Sequence, residues 1–510
     1  MPEKVFIKIK KSILPEYKIC FLSALFIGLL AHLYKLVNHL PNWDSLVFRY
    51  DAQNMTHLGR WFLSPVCALT SFYDLPFLNG FVALLFYALG AVCIIKIFKI
   101  RNKIASFLIG ALIISFPTVT STLFYSYVAD GYAIAFFMST LAALFLTCEK
   151  PRYLISICLI CLSAAIYQAY ITVTVLLLVF RLIDEIIFQN EKPVKTFKKC
   201  LKFLLSGLSG ILLYYVLLNL ILHFTNTQLL DYQGVSSSLS LSSLNLYDAL
   251  INARNIFLNY FFDFSKGANL FAILNVIIFA IAFVFTLLFI ISNKIFNNVY
   301  KALLLFALVI AMHFGGEILV FINPNVDYHN LMKMGFSCFY VYFIVLYERA
   351  NEKQSAIQCW TILIISLFVI FNQIVISNVS YHKAQLSWDK SFAELIRICD
   401  RIETTDKSNE CDEILVIGYL EESRPYSAYL PPDITGTTDG YVLRHDSEEM
   451  GQSVVTSALN DYCSKDYKFL AGEEKQTLLK NETVQNMNTW PNDNSVAVVD
   501  GVIVLKLSEE

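Results

Sequence analysis

The chain has 510 residues, 56% of them hydrophobic and only 16% charged, with a net charge of −2 and a mean hydropathy of +0.56. Soluble domains carry about 25% charged residues, so the composition excludes an ordinary soluble enzyme. A near-neutral chain without basic clusters among aromatics also carries no footprint of nucleic-acid binding.

The apolar content lies between Lys18 and Ser377, mostly in runs of roughly 16 to 24 residues, where about 20 suffice to cross a bilayer as a helix. Eleven spans are predicted, at 18–38, 77–98, 104–121, 127–147, 153–168, 170–188, 201–224, 269–292, 301–322, 332–347 and 357–377. The chain thus reads as a polytopic α-helical membrane protein. No cleavable signal peptide is evident, because the first apolar run is long and lacks a small-residue cleavage site.

Short loops carrying Lys and Arg mark the cytoplasmic face. These include Lys4, Lys8, Lys10 and Lys11 at the N-terminus, then Lys96, Lys99, Arg101 and Lys103. Lys150 with Arg152, the run Lys192–Lys199, Lys294 with Lys301, and Arg349 with Lys353 follow on the same side. The N-terminus is then cytoplasmic, and an odd number of spans places everything after Ser377 outside. Two long loops also face outward, 39–76 and 225–268, the second with a Ser-rich stretch at Ser236–Ser243.

The first outer loop holds Asn42-Trp43-Asp44, Asp51, His57 and Gly59-Arg60-Trp61. Asp44 and Asp51 are seven residues apart, so a helical segment would turn both one way. With Trp43, Phe48, Tyr50 and Trp61, it reads as an interfacial helix presenting two carboxylates, or else as a solvated loop. Charges beside a membrane are costly unless paired, solvated or used.

Asp130 opens the fourth span, either as a cap favoured by the helix dipole or as an acid facing that loop. Tyr167-Gln168 turns between the fifth and sixth spans, where it either meets sugar hydroxyls or fills a helix corner. His313 and Glu317 stand four apart in the ninth span, as a functional pair or a helix–helix hydrogen bond. His329 and Lys333 follow Asn323–Tyr328 and could hold a phosphate, although a lysine at a span end often only snorkels.

The tail 378–510 is polar and reads as a small extracytoplasmic α/β domain. Trp388–Ile402 has helical spacing, Glu413–Leu420 reads as a strand, and Ser495–Leu507 as a hairpin turning at Asp500-Gly501. Of twelve cysteines most sit in apolar runs as small buried residues. Cys399, Cys411 and Cys463 lie in the tail, where one disulfide is compatible with an outside location but its pairing is not readable. Asn54-Met55-Thr56 and Asn481-Glu482-Thr483 fit a glycosylation sequon, which matters only on a eukaryotic secretory route. There is no P-loop, dinucleotide-binding glycine motif, HExxH or Ser-His-Asp arrangement.

Taken together, these features resemble the Gtr-type membrane glucosyltransferases that modify bacterial O-antigen and related surface glycans. The resemblance rests on the basic N-terminus, Asp44 and Gly59-Arg60 in the first loop, Asp130, Tyr167-Gln168, the helix within Tyr381–Ile402, and the terminal VDGVIVLKL. It implies a C-type glycosyltransferase-like fold in the bacterial inner membrane. The implied reaction moves a sugar, glucose by analogy, from a polyprenyl-phosphate donor to a lipid-linked or surface glycan on the outer face, inverting the anomeric centre.

Family members often have an Asp-Asp pair and Gly-Arg-Pro in the first loop, and an Arg in the late loop. Here Trp43-Asp44, Arg60-Trp61, and His329 with Lys333 stand at those places. The resemblance implies Asp44 as base, with Asp51 or Asp130 orienting the acceptor or a metal. Arg60, His329 or Lys333 would face the phosphate, Tyr167 and Gln168 could bind sugar hydroxyls, and His57 and Glu317 complete the substrate-binding candidates. No cofactor is required, though three Asp could hold Mg or Mn. A lipid-linked-glycan flippase and a glycan polymerase are the alternative functions.

Overall fold

The structure, a computed structural model, describes residues 2–3, 13–189, 191–230, 246–265, 269–324, 326–422, 434–437, 440–444 and 448–509. The N-terminal lysines Lys4, Lys8, Lys10 and Lys11 and the Ser236–Ser243 stretch lie outside the described residues. The chain divides into two compact units.

The first unit comprises Met1–Val37, Asp51–Asn378 and Tyr429–Thr435 and is built of helices. In chain order they are α1 (Pro15–Val37), α2 (Pro76–Ile97), α3 (Lys103–Phe124), α4 (Ser126–Thr147), α5 (Tyr153–Ile166) and α6 (Ile171–Ile187). Then come α7 (Pro193–Thr225), α8 (Leu246–Phe261), α9 (Leu270–Ser292), α10 (Val299–Gly315), α11 (Asn330–Glu352) and α12 (Ala356–Thr404). The last of these runs on into the second unit after Asn378.

The helix starts follow local chemistry. Pro76 and Pro193 occupy first-turn positions of α2 and α7, where the missing N–H costs nothing. Asn102, Asn269 and Asn298 cap α3, α9 and α10 with their side-chain oxygens. Pro117 breaks α3 into two segments at Phe116. Close packing of α1 on α3 depends on Gly110, because a Cβ there would fall 2.2 Å from the Cys20 carbonyl oxygen.

Among the described residues, eight helices are long and apolar enough to cross a membrane, against the eleven spans expected. The other three expected spans are helical but shorter: α5 has 14 residues, α6 and α10 have 17 each. The 225–268 loop also differs from expectation, since it contains α8. Ala249, Ala253, Phe257 and Phe261 recur every fourth residue along that helix and are buried. Their rings meet Phe279, Phe336 and Phe339.

The second unit comprises Asn38–Tyr50, Val379–Ala428 and Gly436–Glu510. Its four-stranded sheet has the order β2-β1-β4-β3, with β1 (Glu413–Ile417), β2 (Lys468–Phe469), β3 (Val496–Val499) and β4 (Val502–Lys506). β1 pairs in parallel with β2 and β4, and β4 pairs antiparallel with β3. The β3–β4 turn is Asp500-Gly501, both at positive φ, the conformation that a tight hairpin demands. α13 (Glu448–Asn460) and the end of α12 supply the apolar partners of the sheet, among them Leu395, Ile398, Val454 and Ala458. Cys399 and Cys463 bring their sulfurs to 2.7 Å as free thiols.

Part of the first outer loop belongs to this second unit. Leu46 is in its core, Trp43 packs against it, and Arg49 forms a two-pronged ion pair with Asp461. The two units meet in sequence between Asn378 and Val379 within the long helix, and residues 38–50 are grouped with the second unit.

Candidate functional site

The first loop is not one helix. Asn42 and Ser45 form a capping box that starts a helix of one turn, Trp43–Val47, which ends at Phe48. Beyond it, Asp51 Oδ1 accepts a hydrogen bond from Gln53 N at 2.9 Å, and Gln53 has φ 52°. Such an Asx turn competes directly with helix formation, so Asp44 and Asp51 do not share a helical face. Asp44 falls in the second unit, Asp51 in the first.

From Asp51 onward the loop is shaped by backbone. Met55 and Arg60 form an antiparallel bridge around the single turn Thr56–Leu58, which carries His57. The His57 carbonyl accepts from Leu230 N. Gly59 closes the turn at φ +77°, where a Cβ would lie 2.5 Å from Tyr214 Oη and 2.9 Å from Gln168 Nε2. Both of those groups grip the turn. Gln168 Nε2 donates to the Leu58 carbonyl and to Tyr214 Oη, while Tyr214 Oη donates to the Gly59 carbonyl, each at 3.1 Å.

This grip aims Arg60. Its Nη1 donates to Tyr132 Oη at 3.1 Å, and its guanidinium carbon lies 4.7 Å from the centroid of the Tyr167 ring. Tyr132 and Tyr167 are stacked nearly parallel, 8° apart with centroids at 4.5 Å. The result is a buried stack of two tyrosine rings with a cation on it.

Asp130, fully buried on α4, accepts from the Thr70 hydroxyl and from Gly131 N. It ties the end of the first loop to the helix bundle.

The late loop supplies a buried carboxyl group. Gly315-Gly316 ends α10, so His313 and Glu317 are not a helical i, i+4 pair. His313 packs edge-on against Phe257, and Glu317 lies in the turn beyond. Glu317 is fully buried, and neither carboxylate oxygen has a hydrogen-bond partner among the described residues. Lys333 is within electrostatic range of it. Tyr328, whose hydroxyl donates to the Gly316 carbonyl at 2.6 Å, senses both Glu317 and Tyr167.

His329 Nδ1 is likewise buried without a hydrogen bond. Burial pushes this imidazole down to about 4, Lys333 and Arg60 act in the same direction, and Asp327 opposes them. His329 is therefore neutral at physiological pH and offers a hydrogen bond rather than a charge.

Arg60 lies on Tyr167, and Glu317, His329 and Lys333 lie within electrostatic range of this part of the site. Gln168 supports it from behind by holding the turn before Arg60. Tyr132, Tyr214 and Tyr328 belong to it too, although the sequence did not single them out. Tyr132 lies two residues after Asp130, in Val128-Ala129-Asp130-Gly131-Tyr132.

Buried polar atoms are nearly always hydrogen-bonded, so a carboxylate with two bare oxygens beside a cation marks a place for a ligand. The first loop adds Gln53, with both amide atoms buried and unbonded, and the Trp61 indole N–H. The residues do not fit a divalent cation. No three His, Cys, Asp or Glu side chains converge among the described residues, and Asp51 and Asp130 are each engaged separately.

A family model described as Glucosyl transferase GtrII matches residues 33–322, which include every member of this cluster except Tyr328, His329 and Lys333. No curated protein and no solved structure matches the chain.

Proposed function

The chain belongs to the GtrII glucosyl transferase family, and from that membership we propose that it transfers glucose from a polyprenyl-phosphate donor to a surface glycan such as O-antigen. The reaction takes place at the outer face of the bacterial inner membrane, with the N-terminus in the cytoplasm and the sheet-bearing unit outside. The observation that carries this reading is the buried, unbonded Glu317 carboxylate within range of Lys333, in a cluster that also holds Arg60 and stacked tyrosines.

Glycosyl transfer from a lipid phosphate needs a group to take the acceptor proton and cations to balance the departing phosphate. Glu317, once ionised, takes the proton as the acceptor oxygen forms its bond to the anomeric carbon. The bond from that carbon to the phosphate oxygen breaks, and polyprenyl phosphate leaves with its negative charge facing Arg60 and Lys333. Attack from the face opposite the leaving group inverts the anomeric centre, so a β-linked donor gives an α-glucoside. The Tyr132–Tyr167 stack holds Arg60 in place, and His329 offers a neutral hydrogen-bonding edge.

Asp44, the base implied by resemblance, is a second carboxylate for the proton-accepting role, and the paired variants described in the Discussion separate the two. The deciding experiment supplies the purified protein in vesicles with polyprenyl-phosphate [14C]glucose and a lipid-linked glycan acceptor. Label appearing as single additions on the acceptor supports the proposal. A lipid translocated without cleavage makes the protein a flippase, and growth of a chain makes it a polymerase.

A further inference from the structure

Four helices have one end at the site just described and the other at a second cavity. α4 carries Asp130 and Tyr132 near its start, α5 leads into Tyr167, α6 begins just after Tyr170, and α7 carries Tyr214. Their opposite ends, with the end of α2, surround a cavity of about 840 Å³. Eight cations line it against three carboxylates, Glu149, Glu185 and Glu191.

Two of those acids are already neutralised by neighbours. Glu185 pairs with Arg181 and Lys199, and Glu191 pairs with Lys195. Among the described residues, Lys96, Lys99, Lys198 and Lys202 have no carboxylate at ion-pair distance, although all four line the cavity. Arg181 lies at its wall, 2% exposed, and its Nε has no hydrogen-bond partner. A pocket with this excess of positive charge and an unfilled buried donor calls for an anion.

The start of α7 indicates which anion. Lys195, Lys198, Lys199 and Lys202 recur at helical spacing and all line the cavity. Val194, Phe197, Leu201 and Leu205, each displaced by a position or two from that row, form an apolar stripe that is 48–65% exposed. A cationic row beside an exposed apolar row is the arrangement for a ligand with a charged head and a hydrocarbon tail.

We infer that this cavity binds a phosphate-bearing anion, and that its occupant is the headgroup of an anionic membrane phospholipid whose acyl chains lie along the stripe from Val194 to Leu205. The cavity sits at the far end of the helices from Glu317 and Arg60, so its occupant is distinct from the sugar donor.

The test uses the full-length protein in detergent and native mass spectrometry. Short-chain phosphatidylglycerol, short-chain phosphatidylcholine and inorganic phosphate are titrated separately. Phosphatidylglycerol is expected to bind at least tenfold more tightly than phosphatidylcholine. The variant Lys96→Gln/Lys198→Gln/Lys202→Gln is expected to lose tenfold or more of that affinity. All three lysines are exposed, so the fold is retained. A matched variant, Lys103→Gln/Lys294→Gln/Lys353→Gln, removes equal charge outside the cavity and is expected to bind like the parent. Equal losses in the two variants, or no preference for phosphatidylglycerol, would overturn the site. Inorganic phosphate binding as tightly as phosphatidylglycerol would overturn the lipid assignment.

Discussion

The Arg60 guanidinium lies over the ring of Tyr167, 4.7 Å from its centroid, while its Nη1 donates to the hydroxyl of Tyr132. One side chain therefore joins the first loop to two helices, and it does so with a planar group. Lysine has neither the plane nor the fork. Arg60→Lys is expected to raise KM for the lipid-phosphate donor about tenfold, the effect of roughly 1.4 kcal/mol of lost cation–π and hydrogen-bond energy. Steady-state kinetics with radiolabelled donor measure it.

Glu317→Gln is expected to lower kcat for transfer by about 100-fold or more, the usual contribution of a general base. The amide has nearly the same shape and is likewise neutral, so the melting temperature should hold. Asp44→Asn is the partner experiment. Loss of transfer in Asp44→Asn with a fully active Glu317→Gln would assign the proton-accepting role to Asp44.

Gly59→Ala tests the turn that aims Arg60. It forces a Cβ into positive φ and towards Tyr214 Oη, at a cost of about 1–3 kcal/mol. Adding Tyr214→Phe removes the closest atom and should recover part of the loss, leaving the backbone strain. Chemical denaturation of the two single variants and the double variant gives the coupling.

The Asp130–Thr70 hydrogen bond is a tether on a buried acid. Thr70→Val leaves the carboxylate short of a donor and should destabilise the protein by about 1–3 kcal/mol. Asp130→Asn keeps a hydrogen-bonding side chain and should cost less. Thermal unfolding of both variants, each compared with the parent, checks the order.

His329 supplies a pH dependence with a definite sign. Its folded value of about 4 lies below the ordinary 6.5. Between those values the unfolded chain binds a proton that the folded chain does not, so stability falls as pH drops from 6.5 towards 4. His329→Gln removes that proton uptake. The parent's loss of melting temperature between pH 6.5 and pH 4.5 should therefore shrink in the variant.

The helices were legible because apolar runs of membrane length leave little choice of structure, and the GtrII family match agrees with the resemblance read from Gly59-Arg60, Asp130 and Tyr167-Gln168. Span lengths were less legible. Charged Arg181, Asp184 and Glu185 sit at the end of an apolar run, and they pair with one another and with Arg349 in a buried network. Hydropathy alone does not show that pairing.

Arg60, Glu317, His329 and Lys333 were visible as candidates by residue type, since charges at membrane ends stand out. Tyr132, Tyr214 and Tyr328 did not stand out in a chain with 28 tyrosines. Seven-residue spacing alone did not decide between a helix and a loop for Asp44 and Asp51, and the turn chemistry of Asp51 with Gln53 selects the loop. The glycines at 315 and 316 similarly undid the expected pairing of His313 with Glu317.

The turn at Thr56–Leu58 is clasped by Gln168, by Tyr214 and by its own Met55–Arg60 bridge before any substrate is bound. Its conformational entropy has been surrendered during folding. On the proposed function, arrival of the donor would require no ordering of this segment, and its affinity would not be diminished by it. Loosening any one clasp would shift that ordering to the moment of association, and its signature would be a less favourable entropy of donor binding at an almost unchanged enthalpy.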